Sequence, residues 1–295
     1  MSKRRILVTG GTGQVGTELL RSIWPEDVQL VAPTRQELDL SDCDNIARYI
    51  SAGDFCAVIN SAAYTGVDRA EDDFLAAWKV NALAPAALSE ATKKQSIPLI
   101  QVSTDYVFDG EKGEAYAEDD PVVPLNAYGA SKAAGEQAVR SGNPLHVIVR
   151  TSWVYSEHGS NFVKTMLRLR EQGGKIRVVN DQQGCPTSAA DLAEVLSRLT
   201  LALLDCQSAP TGTYHFANAG MATWYDFARE IFRQGNVADS VDVVPVQTHE
   251  FALRAHRPKN SVLSVHKIAS DYGIVPRDWR MALESVLASL RRSAK

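Results

Sequence analysis

The stretch Tyr128-Gly-Ala-Ser-Lys132 sets a phenol and an ammonium four residues apart. On a helix, positions i and i+4 share a face, so the two groups can converge. A free tyrosine titrates near ~10, too high for easy proton exchange at neutral pH, and a nearby cation favours the phenolate. The expectation is a phenol acidified by its lysine, able to give a proton to an alkoxide forming at a reduced carbonyl. Gly129, Ala130, Ala133, Ala134 and Gly135 flank the pair and let its helix approach a sheet or a cofactor closely. A third group is needed to orient the carbonyl. Ser103-Thr104-Asp105 ends an apolar run, and Thr104 can donate to the substrate oxygen, with Ser103 turned toward the sheet. The plainer alternative is that both hydroxyls cap the strand end.

A tyrosine–lysine pair gains meaning from what lies upstream. Thr9-Gly10-Gly11-Thr12-Gly13-Gln14-Val15-Gly16 follows the first apolar run and opens a helix. Two registers fit, one on Gly10, Gly13 and Gly16 and one on Gly11, Gly13 and Gly16. In either, glycines permit a tight turn and a close backbone approach to a pyrophosphate, and the helix N-terminus offers unpaired N–H groups. A strand–turn–helix context is what such a motif needs to be read as a dinucleotide site. The second apolar run normally ends in an acid that holds the ribose 2′-OH of NAD. Here it runs into Pro33-Thr34-Arg35. The Arg35 guanidinium would suit a 2′-phosphate and so NADPH; its alternative is a solvated loop cation. Asp39 could accept from the adenine amino group with Leu40 packed on the ring, or serve as a helix cap, a task that Ser41 and Asp42 suit better.

The elements that must carry these groups are legible as alternation. Short β-rich apolar runs at 6–8, 28–32, 56–59, 99–102 and 146–149 alternate with segments of helical spacing, such as 15–23 and 74–92. This predicts βαβ units, a doubly wound parallel sheet of Rossmann type, and active groups at the strand C-terminal ends. Beyond Arg150 the spacing predicts a helix over 161–172 stopped by Gly173-Gly174, and a strand over 176–179. A helix over 189–204, a strand over 213–217 and a last helix over 281–291 follow. The expected division is a nucleotide-binding domain over 1–152 plus about 176–217. A smaller interleaved α/β lobe takes about 153–175 plus 218–295.

With 295 residues, 45% apolar and 22% charged, the chain can bury a sizeable core, and a formal net charge of -4 advertises neither nucleic-acid nor membrane binding. The apolar run after the basic start is about three residues, too short for a signal peptide, and nothing approaches the ~20 residues of a bilayer span. The cysteines, Cys43, Cys56, Cys185 and Cys206, show no metal or redox spacing. The expected setting is therefore the cytoplasm. None of the six histidines forms a metal motif, and Glu118-Asp119-Asp120 reads as a solvated loop. Trp224 and Trp279 read as core anchors of the second lobe. Trp153 follows the fifth strand at its active end, where packing on a sugar or base is a credible role.

These residues sit in longer blocks. They include Asn60-Ser-Ala-Ala-Tyr-Thr-Gly-Val-Asp68, Ser103-Thr-Asp-Tyr-Val-Phe-Asp-Gly110, Pro124-Leu-Asn-Ala-Tyr-Gly-Ala-Ser-Lys132, Arg150-Thr-Ser-Trp-Val-Tyr155, Asn180-Asp-Gln-Gln-Gly-Cys-Pro-Thr187 and Arg257-Pro-Lys-Asn-Ser261. Together with the glycine turn they resemble the extended short-chain dehydrogenases/reductases, and within them the dTDP-4-dehydrorhamnose reductases. The resemblance spans nearly the whole chain in order. It implies NADPH-dependent reduction of the C4 carbonyl of dTDP-4-dehydro-β-L-rhamnose to dTDP-L-rhamnose, for surface polysaccharide. Tyr128 would be the proton donor, Lys132 would hold the nicotinamide ribose and tune the phenol, and Thr104 would bond the sugar. Gly10, Thr12, Gly13, Gln14, Val15, Gly16, Arg35, Asp39, Leu40, Ala62, Ala63 and Tyr64 would line the cofactor. Thr104, Asp105 and Trp153 would meet the sugar nucleotide, with Val67 and Tyr106 beside them. Arg257 would take the diphosphate, or else form a surface salt bridge.

Dehydratases similar to these reductases carry Thr-Asp-Glu where this chain has Thr104-Asp105-Tyr106, so elimination lacks its base. Other readings stay open: another nucleotide-sugar reductase or epimerase, or a non-catalytic subunit resembling the regulatory subunit of methionine adenosyltransferase. Intact Thr104, Tyr128 and Lys132 argue for catalysis. Some relatives accept NADH, and this second strand end makes that use less secure. Some also join two subunits through a metal on acidic side chains. Glu18 and Glu284 could take part, but residue 190 is alanine. No metal is expected, magnesium being at most an accessory to a homodimer.

Overall fold

Along the apolar runs, successive residues bury into opposite faces of one sheet. In the computed structural model, which describes residues 3–235 and 241–293, the chain begins β1 (Arg4–Thr9), α1 (Gln14–Arg21), β2 (Val28–Val31), α2 (Cys43–Ala52) and β3 (Ala57–Asn60). Next come α3 (Val67–Asp72), α4 (Phe74–Trp78), a π-turn (Lys79–Leu83), α5 (Ala84–Lys94), β4 (Leu99–Thr104), α6 (Ala127–Gly142) and β5 (His146–Thr151). The second half runs β6 (Val154–Tyr155), α7 (Phe162–Gln172), β7 (Lys175–Val179), β8 (Gln183–Gly184), β9 (Thr187–Ser188), α8 (Ala189–Asp205) and β10 (Gly212–His215). It closes with β11 (Ala222–Thr223), α9 (Trp224–Gln234), β12 (Asp242–Val246), α10 (His266–Tyr272) and α11 (Trp279–Ser293).

Six strands form the central sheet in the order β10-β5-β4-β3-β1-β2, all pairs parallel. Ile6, Val8, Ile59, Ile100, Val147 and Val149 face one core with α1 and α8. Leu7, Val58, Leu99 and Ile148 face the other, with α2 and α5. That two-residue alternation is the pleat, and each fully buried branched side chain contributes roughly 1.5–3 kcal/mol. The chain leaves β1 toward β2 on one side and returns to β3 on the other. This reversal opens a crevice beyond the C-terminal ends of β1 and β3, the place where such sheets bind ligands. The glycine turn closes β1 there.

A smaller lobe has its own core of Tyr155, Val163, Ile176, Val178, Phe227, Ile231, Trp279 and Leu283. β7 pairs in parallel with β12 in this lobe. The expected division therefore moves at two places. Ile176 and Val178 pack with the smaller lobe, not with the nucleotide half. Ile268 of α10 and Ile274 return to the sheet core. No helix among the described residues is long and apolar enough to cross a membrane.

The helix expected over 74–92 runs on as α4, a π-turn and α5 with helical backbone at each junction, and the cause of the widened turn is Pro85. Proline lacks the N–H that would bond the carbonyl of residue 81, and its ring crowds that carbonyl. The chain widens instead: the N–H of Ala84 reaches back to the Lys79 carbonyl across a π-turn. The turn aims Asn81 inward. The Asn81 side chain accepts from the Tyr64 N–H at 2.9 Å, and donates to the Tyr64 carbonyl at 3.0 Å and to Ser131 Oγ at 3.0 Å. One buried amide thus fastens the loop after β3 to α6.

Candidate active site

The crevice has a volume of about 1280 Å³, more than a drug-sized ligand fills and suited to a dinucleotide beside a second substrate. Its wall holds the expected Gly10, Thr12, Gly13, Gln14, Val15, Arg35, Asp39, Leu40, Ala62, Ala63, Tyr64 and Val67. It also holds Thr104, Asp105, Tyr106, Tyr128, Lys132 and Trp153. Gly16 lies behind this wall, where a Cβ would collide with the Gly10 carbonyl; it is the glycine that lets helix and strand close up. Gly10 has φ +74°, and a Cβ on it would sit 2.8 Å from the Ala62 backbone. Gly13 is the N-cap of α1 and supplies no side-chain acceptor, whereas Asn126, Asn161, Ser188 and Thr223 cap α6 to α9 with theirs. The first N–H groups of α1 are left for an anion.

At the far side of the crevice α6 presents Tyr128 and Lys132. Asn126 caps the helix by accepting from the Gly129 N–H at 2.8 Å. A Cβ on Gly129 would strike the Tyr106 carbonyl, so the helix lies tight against the end of β4. Lys132 is 4% exposed, and its Nζ donates to the Val102 carbonyl at 2.7 Å. Burial pushes its ammonium down to about 8, opposed by the charge of Glu136. Tyr128 is pushed up to about 12, first by burial, and against that by a hydrogen bond with Thr104. This corrects the expected acidification. The lysine is turned to a carbonyl and does not lower the phenol; desolvation dominates. Tyr128 is consequently protonated at neutral pH, the state a proton donor requires.

Thr104 Oγ1 also donates to Asp105 Oδ1 at 3.0 Å and accepts from the Tyr106 N–H at 3.2 Å. Asp105 is 3% exposed, and its carboxyl is pushed up to about 6 by burial against hydrogen bonds from Ser261 and Thr104. Tyr64 Oη and Thr151 Oγ1 are buried without partners, and both residues face the crevice. Orphaned polar atoms of this kind ask for a ligand.

Beneath the pair, Glu136 stands one further turn along α6 and is fully buried. It takes a fork from Arg150, Nε at 2.9 Å and Nη2 at 2.8 Å. Burial raises the Glu136 carboxyl, and the bonds and charge of Arg150, with a Ser103 bond and the charge of Arg140, together hold it below the ordinary range. His215 adjoins Arg150 at 3.3 Å, and burial followed by that cation pushes it down to about 3, so it is neutral.

At the end of the crevice beyond β2, Arg35 is 82% exposed and 3.9 Å from Asp39. Asp39 accepts from the Ser41 N–H and hydroxyl, each at 2.9 Å, which holds its carboxylate low. The cap of α2 is Asp42, which accepts from Asn45 N at 3.0 Å. Arg257 does not line the crevice. Its fork is spent on Asp68, at 2.6 and 3.2 Å, so the salt-bridge alternative is the observed one. Glu18 gathers with Glu157 and His158, Arg21 reaches Glu157 at 3.7 Å, and Glu284 is not among this group.

Several wall residues escape sequence reasoning: Ser61, Lys79, Thr151, Ser152, Ser160 and Trp224. Trp224 corrects the expectation of a pure core anchor. It stacks on Trp153 with ring centroids 3.5 Å apart and planes 7° from parallel. No local signal joins residues 71 positions apart. Trp279, at 1% exposure, does anchor the core.

Comparison with known proteins gives one consistent result. A family model described as the RmlD substrate binding domain matches residues 4–292. The chain is 38% identical over 289 residues to a protein named dTDP-4-dehydrorhamnose reductase from Aggregatibacter actinomycetemcomitans, covering 96% of this chain and 98% of that one. It is 38% identical over 288 residues to a probable dTDP-4,6-dihydroxy-2-methyloxan-3-one 4-ketoreductase from Streptomyces antibioticus, covering 97% and 95%. A crystal structure named dTDP-4-dehydrorhamnose reductase from Bacillus anthracis, in complex with NADP, superimposes with a TM-score of 0.91. It is 36% identical, over 97% of this chain and 99% of that one.

Proposed function

The chain belongs to the RmlD substrate binding domain family, and from that premise we propose that it is an NADPH-dependent reductase of nucleotide-linked keto sugars. It converts the C4 carbonyl of dTDP-4-dehydro-β-L-rhamnose to the hydroxyl of dTDP-L-rhamnose, as the relatives' names indicate. The observation that carries the reading is the convergence of a protonated Tyr128, its Thr104 partner and a buried Lys132 in the same crevice as a bare glycine helix start.

In this reading Gly10, Thr12, Gly13, Gln14 and Val15 cradle the pyrophosphate, Arg35 meets the 2′-phosphate, and Asp39 with Leu40 receives the adenine. Ala62, Ala63 and Tyr64 line the path to the nicotinamide. Bound NADPH supplies the hydride to the carbonyl carbon. Thr104 and Tyr128 hold the carbonyl oxygen, and the Tyr128 proton passes to it, so one hydride and one proton make the alcohol. Solvent returns the proton to the phenolate left behind, and Lys132 holds the nicotinamide ribose. Asp105, Trp153, Val67 and Tyr106 form the sugar side. Arg257 bears on the sugar side through Asp68, which its fork holds, and through a hydrogen bond with Tyr106. Tyr106 follows Asp105 where elimination would need an acid.

The nucleotide-binding half, in this reading, is 1–152 with α8 and β10, and the lobe from β6 through β8 plus α9, β12 and α11 receives the sugar. Cytoplasmic residence and pairing of two copies belong to the same reading, tested by cell fractionation and light scattering. The decisive experiment supplies the purified protein with NADPH and dTDP-4-dehydro-β-L-rhamnose. The expected result is loss of NADPH absorbance with dTDP-L-rhamnose formed in equal amount. The Streptomyces relative favours one alternative, another dTDP-linked 4-keto deoxysugar, and faster turnover of such a sugar would replace the substrate while keeping the chemistry.

A further inference from the structure

Trp153 has φ +48°. Among the described residues only Asp54 and Ser96 share a positive φ without being glycine, and both are small polar residues in turns. A bulky aromatic residue in this region persists only where its surroundings hold it, and such strain gathers at ligand clamps. Three features do the holding. One face of the indole lies on Trp224 at 3.5 Å. Gly184 leaves room for the ring, since a Cβ there would lie 2.5 Å from Trp153 Cε2. β8 and β11 pair Gly184 with Ala222, two residues before Trp224, so the glycine and the second indole are fixed relative to one another.

Trp224 is itself constrained. It is the first residue of α9, whose Thr223 and Asp226 cap each other reciprocally. Its ring also meets Phe162 at 4.6 Å, Phe162 meets Phe227 at 5.4 Å, and Phe227 meets Trp279 at 5.5 Å. An aromatic ladder therefore runs from the crevice to the buried start of α11. Trp153 stands two residues beyond Thr151, which lies opposite Thr104 in the β4–β5 register. The clamped indole is thus at the carbonyl end of the crevice.

We propose that Trp224 is a positioning residue for sugar binding: through its stack it holds Trp153 in the left-handed backbone that sets the indole against the hexose. The inference rests on the reductase reading above and adds to it the part of the smaller lobe that governs sugar affinity. The hexose of a 4-keto-6-deoxy sugar has C–H and methyl faces that an indole can pack against, so the predicted ligand class is a nucleotide-linked deoxyhexose.

The test compares the wild-type protein with Trp224→Ala, Trp224→Phe and Gly184→Ala, using dTDP-4-dehydro-β-L-rhamnose as substrate and NADPH binding as the control. Trp224→Ala should raise KM for the sugar nucleotide about tenfold, the upper end of what an aromatic pair contributes. The dissociation constant of NADPH should stay within about twofold. Trp224→Phe should recover most of the loss. Gly184→Ala, which presses on Trp153 without touching the ladder, should raise KM in the same way and carries the test if Trp224→Ala does not fold. A folded Trp224→Ala or Gly184→Ala with wild-type KM overturns the proposal. So does an NADPH affinity that falls in step with KM, which would mean general loosening of the lobe. Failure of the wild-type protein to turn over any dTDP-linked 4-keto sugar would instead sink the reductase reading, and this inference with it.

Discussion

Replacing Lys132 by methionine should make the ligand-free protein more stable while abolishing its activity. The ammonium is 4% exposed, and burial takes it from an ordinary 10.5 to about 8. At ~1.4 kcal/mol per pH unit, that displacement costs the folded state about 3 kcal/mol. Methionine removes the cost and loses the bond to the Val102 carbonyl. The bond contributes about 1 kcal/mol, and a carbonyl left unpaired costs about 1 more. A net gain of about 1 kcal/mol remains near pH 7, which for a chain of this size raises the melting temperature by roughly 2–4 °C.

The sign with pH follows from linkage. Because the folded value is depressed, the penalty is complete below pH 8. As pH rises from 8 toward 10.5 the unfolded chain holds the extra proton, so the wild-type protein gains stability in that window. Calorimetric melting of both proteins at pH 7 and pH 10 should therefore show the variant ahead at pH 7 and the lead lost at pH 10. Its kcat should fall by about 10²-fold or more. A variant that melts below the wild type at pH 7, or a gap that ignores pH, would refute the claim that this ammonium is held at a cost.

Tyr128→Phe should lower kcat by roughly 10²–10⁴-fold and leave NADPH affinity within about twofold; a near-normal rate would remove Tyr128 as proton donor. Arg35→Ala should weaken NADPH by about tenfold and spare NADH, the low end for a charge-assisted contact because the side chain is so exposed; equal loss for both cofactors would take Arg35 out of 2′-phosphate recognition. Glu136→Gln strands the buried Arg150 guanidinium and should cost about 3–5 kcal/mol in urea unfolding. A loss below about 1 kcal/mol would show that Arg150, which also lies over the Phe108 ring at 5.0 Å and beside His215, does not need that carboxylate.

The glycine turn, the five strands and the Tyr128–Lys132 pair are readable because each is a local pattern tied to one backbone geometry. The phenol's state is not. Spacing says that two side chains share a helix face, whereas the balance between a cation and desolvation depends on what α6 is pressed against. Arg257 shows the same limit: its partner Asp68 lies 189 residues away, and a basic residue in a loop looks alike whether it waits for a phosphate or is already paired. Trp224 reads as core because aromatic spacing cannot tell a ring inside a lobe from one at its rim. Pro85 is different. Its consequence is predictable from the missing N–H, yet helical periodicity over 74–92 passes straight across it.

The π-turn that Pro85 imposes has an architectural consequence. It pushes the Asn81 carbonyl out of its own helix toward Gly135, where any Cβ would collide with it. The proline makes a bump and the glycine makes the dent that receives it, and the depth of that fit sets how far the tyrosine's helix stands from the glycine turn. The two positions are therefore a lock and its keyhole: neither can be altered alone without moving Tyr128 relative to the glycine turn, though they are 50 residues apart and neither lines the crevice.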